Sequence, residues 1–250
     1  MELRILVIAI SIALFSFLES WKPSERGQSI RGKSRNLLYI TLYLVLGYFF
    51  SLLLFPVTHW AQSSTTVINQ TKFIPFILVF IFIGDLLFYF YHRAQHTYPS
   101  LWAIHELHHT ERELNVTSSL RTHFLEAPIQ AMLITSPAIF LLQPPLFMSV
   151  IFTVLLTFWL FFTHANLRLN LKSLTKVITG PQVHRIHHSI EERHRNKNFA
   201  QFFPIIDIVF GTYYHPQTNE FPKTGLADKE EISFKESLLQ PFTTWIKMIY

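Results

Sequence analysis

Three short histidine runs, widely separated in sequence, constrain the fold of this chain more than any other feature. Within each run the spacing is three or four residues, and residues at that spacing share one face of a helix. Each run can therefore direct two or three imidazole rings towards one point, and we expect the fold to bring the runs together. The eight histidines are His92 and His96, then His105, His108 and His109, and then His184, His187 and His188.

Converging imidazoles predict a metal site. Neutral imidazole is a ligand that suits iron, zinc, copper and nickel. Eight imidazoles exceed the three or four protein ligands of a typical zinc site, so two metal ions are expected. Any single one of the 13 histidines is more simply a surface or core residue, but that interpretation does not explain the three runs. The absence of cysteine excludes thiolate-bound metals, iron–sulfur clusters and disulfides.

The composition is that of a membrane protein, since 50% of the residues are hydrophobic and the mean hydropathy is +0.27. Segments near 20 residues suit a full crossing, whereas the first and fourth apolar segments are shorter. We predict one all-α integral membrane domain with four to five apolar segments and a cytoplasmic, histidine-rich helical cap. The apolar segments are residues 3–18, 37–55, 73–91, 127–142 and 144–162.

This domain divides into N-terminal anchor helices (1–72), a catalytic core (73–215) and a C-terminal interfacial tail (216–250). The first segment is predicted to be retained, because no small-residue cleavage site follows it. Basic residues crowd the first connection, which places it and the histidine runs on the cytoplasmic side of a bacterial inner membrane or the endoplasmic reticulum. The hairpin around Gln143-Pro144-Pro145 returns the chain, so the early and late runs emerge on one side.

The net charge of +5 raises the question of a nucleic-acid partner. The basic residues flank the apolar segments and belong to no recognised nucleic-acid motif. Anionic lipid headgroups are therefore the expected partner, and no nucleic acid is expected.

The motifs around the histidines resemble the fatty acid hydroxylase and sterol desaturase superfamily of membrane-bound di-iron oxygenases. Residues 85–213 carry the likeness in the family's order. Ala200 replaces a glycine usual in the family, Ile206 replaces a tryptophan, and His164 is alone where some hydroxylases have two histidines. The matching motifs are Asp85-x3-Tyr89-x2-His92-x3-His96, Leu101-Trp102-x2-His105-x2-His108-His109, Asn115-x5-Arg121-x-His123-x2-Glu126, Phe162-x-His164-x-Asn166, His184-x2-His187-His188-Ser189, Asn198-Phe199 and Asp207-x2-Phe210-Gly211-Thr212-Tyr213.

The resemblance implies a helical membrane bundle in which two iron ions activate O2 and oxidise a lipid C–H bond. Zinc is a possible substitute in purified protein. Two electrons have to come from an external donor, a ferredoxin, cytochrome b5 or a reductase, because no additional segment is long enough to be the fused cytochrome b5 domain that some relatives carry. Hydroxylation is favoured over desaturation as the simpler outcome, and fatty acid, sterol, ether lipid and carotenoid substrates all stay open.

The resemblance assigns catalytic and metal-binding roles to the eight run histidines and adds His164 as a ninth ligand. Asp85 lies two helical turns before His92 and is expected to accept a hydrogen bond from a ligand histidine. His123 is either a ligand or an outer partner. Tyr89 either bonds near the site or belongs to an aromatic belt. The candidate outer partners are Asp85, His123, Glu126, Asn198 and Asp207, and His194 is not required.

Other interpretations compete with an oxygenase. The stretch from His105 to His109 also fits H-E-x-x-H, in which Glu106 would be the general base of a zinc protease. Paired E-x-x-H sequences also suggest a carboxylate di-iron bundle, but the additional glutamates are missing. A metal transporter would carry ionisable ligands near the middle of its spans, whereas these histidines lie at the ends.

Overall fold

The computed structural model describes residues 2–63, 73–227, 229 and 232–250. Across these residues the regular secondary structure is helical, which confirms the all-α prediction. The predicted boundary at residue 72 lies outside the described residues. The helices are α1 (Glu2–Trp21), α2 (Ile30–Ser63), α3 (Phe73–Thr97), α4 (Pro99–His109), α5 (Glu126–Gln130), α6 (Ser136–Leu142), α7 (Leu146–His164), α8 (Pro181–His187), α9 (Pro204–Val209) and α10 (Phe234–Ile249).

Three helices in the described part of the chain are long and apolar enough to cross a membrane. They are Leu3–Trp21, Ile74–Thr97 and Leu146–His164. The predicted segment 37–55 forms the middle of α2, and 127–142 falls in the shorter apolar stretch Glu126–Leu142, where a π-helical turn separates α5 from α6. By length and composition three described helices qualify as spans, and the other two predicted segments lie in α2 and in Glu126–Leu142, so the number of crossings stays a prediction.

Prolines and one left-handed residue set the helix boundaries near the site. Pro99 and Pro181 lie in the first turns of α4 and α8, where a missing N–H costs nothing. Gln143 has a φ of 43° and ends α6, and the two prolines after it lead into α7, as the sequence predicts for this turn. Helix α3 continues past its apolar part to Thr97, which carries His92 and His96 beyond it, also as predicted.

Apolar packing holds the bundle together around α7. Phe15 of α1 packs near Phe161 of α7, and Phe80 of α3 lies against Phe152 of α7 with ring centroids 4.3 Å apart. Gly84 permits this approach, because a Cβ there would lie 2.8 Å from the Phe152 ring. Glu19, near the end of α1, accepts backbone N–H groups from two loops beside the histidines. The C-terminal ends of α1, α3 and α7 therefore gather at one end of the bundle.

Candidate metal centre

The nine histidines assigned from the sequence meet at this end of the bundle and form two groups. Within each group the candidate ligand atoms all lie within 4.8 Å of one another. Helices α3, α4 and α8 supply the first group, and α4, α7, α8 and the residue that follows α8 supply the second. Group A is His92, His96, His105, His109 and His187, and group B is His108, His164, His184 and His188.

The Nε2 atoms of each group face one another at short range. In group A the Nε2 atoms of His92 and His105 lie 3.1 Å apart, as do those of His96 and His109. In group B the Nε2 atom of His164 lies 3.0 Å from that of His108 and 3.0 Å from that of His184. Two imidazole nitrogens bound at right angles to one ion, each about 2.1 Å from it, would be about 3.0 Å apart.

Hydrogen bonds on the far side of two rings show why a cation fits between them. His92 Nδ1 lies 2.9 Å from the carbonyl oxygen of Phe199, and His105 Nδ1 lies 3.0 Å from Glu126 Oε1. A carbonyl and an ionised carboxylate only accept, so in the neutral rings Nδ1 carries the proton and Nε2 presents a lone pair. These two lone pairs would repel at 3.1 Å unless a positive ion lay between them.

His187 also has a ring nitrogen that is free to bind a metal ion. His187 Nε2 is buried and has no hydrogen-bond partner among the described residues, although its ring centroid lies 4.4 Å from that of His92. Its Nδ1 lies 2.8 Å from the carbonyl oxygen of Lys197. A buried polar atom without a partner is costly, and a metal ion would satisfy it. The donor set therefore fits metal ions in both groups.

Burial keeps these imidazoles neutral. It lowers the pKa of His187 to about 4. Burial, reinforced by the neighbouring imidazoles, lowers the pKa of each remaining ring on α4 and α8 well below the ordinary histidine value. Neutral imidazole is the form that binds metal, so the site is prepared for metal at neutral pH. The rings in question are His105, His108, His109, His184 and His188.

Glu126 connects His105 of group A to a buried hydrogen-bond network. Its Oε1 accepts from His105 Nδ1 and from Gln95 Nε2 at 2.7 Å. Its Oε2 accepts from the Tyr91 hydroxyl at 2.8 Å and from Gln130 at 3.1 Å. A carboxylate that fixes the proton-bearing nitrogen of a ligand histidine is a common outer partner of metal sites. Glu126 thus occupies the position expected of an outer partner.

Among the described residues Asp85 has no hydrogen bond to a histidine, which corrects the role expected for it. Its carboxylate instead accepts the backbone N–H groups of Gln201, Phe202 and Phe203 at 2.7–3.0 Å. Asp207 accepts hydrogen bonds from the backbone N–H groups just before these, those of Phe199 and Ala200, at 2.8 and 2.9 Å. Five successive amides are thereby fixed, and the Phe199 carbonyl that receives His92 Nδ1 belongs to the same segment. Both carboxylates act on the backbone.

Three further candidates lie outside both histidine groups. His123 Nε2 lies 3.1 Å from the Leu238 carbonyl and so ties α10 to the core. The Asn198 side chain bonds the backbone of Tyr214 and Val183. Tyr89 is fully buried and bonds Thr212 and Arg93, so it is not part of an aromatic belt. None of these side chains has a described contact with a group A or group B ring.

The protease interpretation is disfavoured by the environment of Glu106. Its carboxylate forms a salt bridge with Lys229 and accepts a hydrogen bond from Gln240. His105 and His109 of the H-E-x-x-H pattern belong to a group of five histidines, whereas a zinc protease needs two histidines and one further ligand. His194 bonds Ser189 and Glu220, away from both groups.

Two cavities of different character adjoin the histidines. A cavity of about 500 Å³ is lined by His96, His109 and His187 together with charged side chains such as Arg195 and Lys229. A smaller cavity of about 80 Å³ lies on the bundle side, and five histidines from both groups line it together with Phe88 and Leu160. The histidine groups therefore separate a polar side from a more apolar one.

Sequence reasoning missed several residues that shape the site. The carbonyls of Lys197 and Phe199 orient His187 and His92, but main-chain atoms leave no side-chain signal. Trp102 packs against His96 and His109 with centroid distances of 5.1 and 5.4 Å. It belongs to the Leu101-Trp102 motif but received no role. Gln95, on α3 between His92 and His96, could have been noticed as a buried polar neighbour.

Comparison with known proteins agrees with this geometry. The family profile described as fatty acid hydroxylase matches residues 77–212. The ornithine lipid hydroxylase OlsE of Rhizobium tropici is 29% identical over 167 residues, covering 67% of this chain and 50% of that protein. Alkylglycerol monooxygenase of Xenopus tropicalis is 32% identical, and that of Homo sapiens 30%, over 134 residues, covering 53% of this chain and 29% of each relative.

The chain spans half or less of the length of these curated relatives. No solved structure matches it. The family match covers more than half of the chain and includes all nine histidines of groups A and B. The chain belongs to the fatty acid hydroxylase family.

Proposed function

We propose that this chain is a membrane-bound, non-haem di-iron oxygenase that hydroxylates a lipid C–H bond with O2 and electrons from an external donor. The observation that carries the proposal is the pair of adjacent, buried histidine groups whose Nε2 lone pairs face one another. Such an arrangement would hold one cation in each group. The stacked rings of His109 and His188, 4.4 Å apart, connect the two groups.

Iron is the proposed metal because imidazole suits it and because the family resemblance implies a di-iron centre. When bound, the iron pair supplies activation of O2 and removal of hydrogen from an unactivated C–H bond. Zinc would also fit a nitrogen-rich site, so it is a possible contaminant of purified protein. The nine histidines would hold the metals, and the protein around them would determine which substrate carbon comes near.

The chain's own residues have three tasks in this reaction. Glu126 holds His105, and the carbonyls of Phe199 and Lys197 hold His92 and His187, so each of these rings keeps Nε2 directed at its group. Burial keeps the rings neutral and excludes bulk water. The hydrophobic walls of the smaller cavity, including Phe88 and Leu160, place an apolar chain beside both groups.

A lipid with an alkyl or acyl chain is the proposed substrate class. Two relatives are named for lipids, ornithine lipid and alkylglycerol, and three described helices can cross a membrane. The reaction R–H + O2 + 2 electrons + 2 protons gives R–OH + H2O. Hydroxylation agrees with the names of these relatives better than desaturation does.

The larger, polar cavity is the proposed side for the electron donor. It reaches the half-buried His96 and the neighbouring Trp102, which are near the surface. A ferredoxin, cytochrome b5 or reductase could approach there without entering the lipid. We place this side in the cytoplasm, on the charge distribution of the sequence.

The direct test is transfer of oxygen from labelled O2 to lipids of a host that expresses the chain. We expect a lipid mass increase of one labelled oxygen with the unchanged chain and none with His108→Ala, which removes a group B ring. His215→Ala is the matched control, because His215 is exposed and lies outside both groups. No labelled lipid from the unchanged chain, with reductant supplied, would contradict the proposal.

A second experiment separates the oxygenase from the protease. Glu106→Gln would abolish a protease that uses this carboxylate as its general base. The oxygenase is expected to keep most of its lipid oxidation in Glu106→Gln and to lose it in His108→Ala. Peptide cleavage that disappears in Glu106→Gln, without lipid oxidation in the unchanged chain, would favour the protease.

A further inference from the structure

Helix α10 lies across the histidine-bearing end of the bundle and is anchored at three places. The Tyr39 hydroxyl of α2 lies 2.7 Å from Ser237 Oγ. His123, just before α5, lies 3.1 Å from the Leu238 carbonyl. The indole N–H of Trp245 donates to the Ser100 carbonyl at the start of α4, at 2.9 Å. These contacts fix one side of α10 against the protein.

The opposite side of α10 is exposed and apolar. Its large side chains recur every three or four residues, which places them in one stripe along the helix. Polar residues such as Thr243 and Lys247 lie beside this stripe. In water the stripe would cost about 25 cal/mol for each Å² of apolar surface exposed. The stripe is Leu239, Phe242, Ile246 and Ile249, which are 49%, 38%, 57% and 76% exposed.

Two of the anchoring points of α10 lie where charged chain gives way to apolar helix. Tyr39 follows the exposed Leu37 and Leu38, and these come directly after the basic start of α2. Phe124, whose ring lies 6.4 Å from that of Phe242, lies two residues before the apolar stretch Glu126–Leu142 and next to His123. Such a change from charged to apolar residues marks the level of the lipid headgroups.

We propose that α10 lies in the surface of the bilayer, with the apolar stripe among the upper acyl chains and the Lys247 side in the headgroup layer. The occupant of the exposed face is therefore lipid. A helix with one apolar side and flanking lysines binds in this way. Lys235 and Lys247, both exposed, can pair with anionic headgroups. This placement does not depend on the proposed oxygenase activity.

The chain offers a clean test because it contains no cysteine. Single variants Phe242→Cys, Thr243→Cys, Ile246→Cys and Lys247→Cys each give one labelling site for an environment-sensitive fluorophore. Adjacent positions project about 100° apart on a helix, so each stripe position has a matched neighbour. All four residues are exposed, and monodisperse elution of each labelled protein serves as the folding control.

The labelled proteins are placed in nanodiscs of phosphatidylcholine with ordinary or brominated acyl chains. We expect bromine to quench the labels at 242 and 246 at least twofold more strongly than those at 243 and 247. Weak quenching at all four positions would overturn the proposal, because the stripe would then be in water or covered by protein. Strong quenching at all four would also overturn it, because α10 would then be immersed in the bilayer. Unlabelled Ile246→Cys chains are also oxidised in the same nanodiscs. Efficient disulfide crosslinking between them, together with weak quenching of the labelled chains, would assign the face to a second copy instead.

Discussion

His187 and His188 are neighbours in sequence, yet their imidazole rings belong to different histidine groups. Their ring planes are 87° apart, and His187 lies beside His92 at 4.4 Å whereas His188 lies beside His108 at 4.6 Å. His108 and His109 divide in the same way, with ring planes 89° apart. Each doublet therefore supplies one ring to each group, so a single substitution should act mainly on one metal position.

Replacing His188 by alanine leaves group B with three histidines, whereas His187→Ala leaves group A with four. A closed site uses four protein ligands, so the three that remain in group B should hold an ion more weakly, and we expect His188→Ala to reduce bound metal from about two ions per chain to about one. His187→Ala should retain more bound metal than His188→Ala. Plasma mass spectrometry of desalted protein gives the count. The account is contradicted if His188→Ala and the exposed control His215→Ala bind equal amounts.

Substituting Asp85 by asparagine should destabilise the segment that carries the Phe199 carbonyl. The carboxylate accepts three backbone N–H groups, and an amide offers one oxygen and places an NH2 group against the remaining donors. We expect a loss of about 2–4 kcal/mol in the free energy of unfolding, since hydrogen bonds to charged groups contribute about 1.5–3 kcal/mol each. Thermal unfolding in mild detergent measures the loss.

Asp207→Asn should behave like Asp85→Asn, because Asp207 accepts the backbone N–H groups of Phe199 and Ala200, which directly precede the amides that Asp85 binds. The matched control is Glu192→Gln, whose side chain is 89% exposed and pairs only weakly with Arg195. A melting temperature for either buried variant that equals the control's would show that the two carboxylates do not hold this segment.

Replacing Glu126 by glutamine should weaken metal retention without emptying the site. Four donors converge on this carboxylate, and glutamine presents only one acceptor oxygen to them. Loss of an outer partner typically costs about 10–100-fold in metal affinity. Competition with a metal chelator measures the affinity, and Gln130→Ala, which removes a single donor, is the control. Unchanged affinity in Glu126→Gln would contradict the role assigned to this residue.

Acid should destabilise the metal-free protein. In the unfolded chain a histidine has a pKa of about 6.5, whereas burial lowers that of His187 to about 4. Between these pH values the unfolded chain binds a proton that the native chain does not, so the free energy of unfolding falls as the pH falls. His187 alone accounts for about 3 kcal/mol once the pH reaches its folded pKa.

This pH dependence can be measured by circular dichroism melts of chelator-treated protein between pH 7.5 and 4.5. We expect the melting temperature to be steady above the ordinary histidine pKa and to decrease steadily below it. A melting temperature that rises on acidification would contradict the dominant effect expected from the buried, neutral imidazoles.

The sequence predicts which histidines meet, because spacing of three and four residues is a local property of a helix. It does not predict how they divide. Whether His108 or His109 joins a given group depends on how α4 and α8 approach each other, and the spacing is the same in either case. The hairpin turn at Gln143, by contrast, is predictable from the two prolines that follow it.

Asp85 illustrates a second limit. Its position two turns before His92 correctly places both residues on α3, but the side chain meets the backbone of residues 201–203, which are more than 100 residues later. Main-chain N–H groups are present at every non-proline residue, so no sequence pattern marks those that a carboxylate will bind. The same reason hides the carbonyls that orient His92 and His187.

The central claim is that groups A and B of one chain together hold a pair of iron ions. Mössbauer spectroscopy of protein grown on ⁵⁷Fe and assayed for iron content tests it most directly. We expect about two irons per chain, and oxidised protein with spectra of antiferromagnetically coupled ferric ions, which requires the two ions to be neighbours. One iron per chain, or two irons with the spectra of magnetically isolated ions, would contradict the claim.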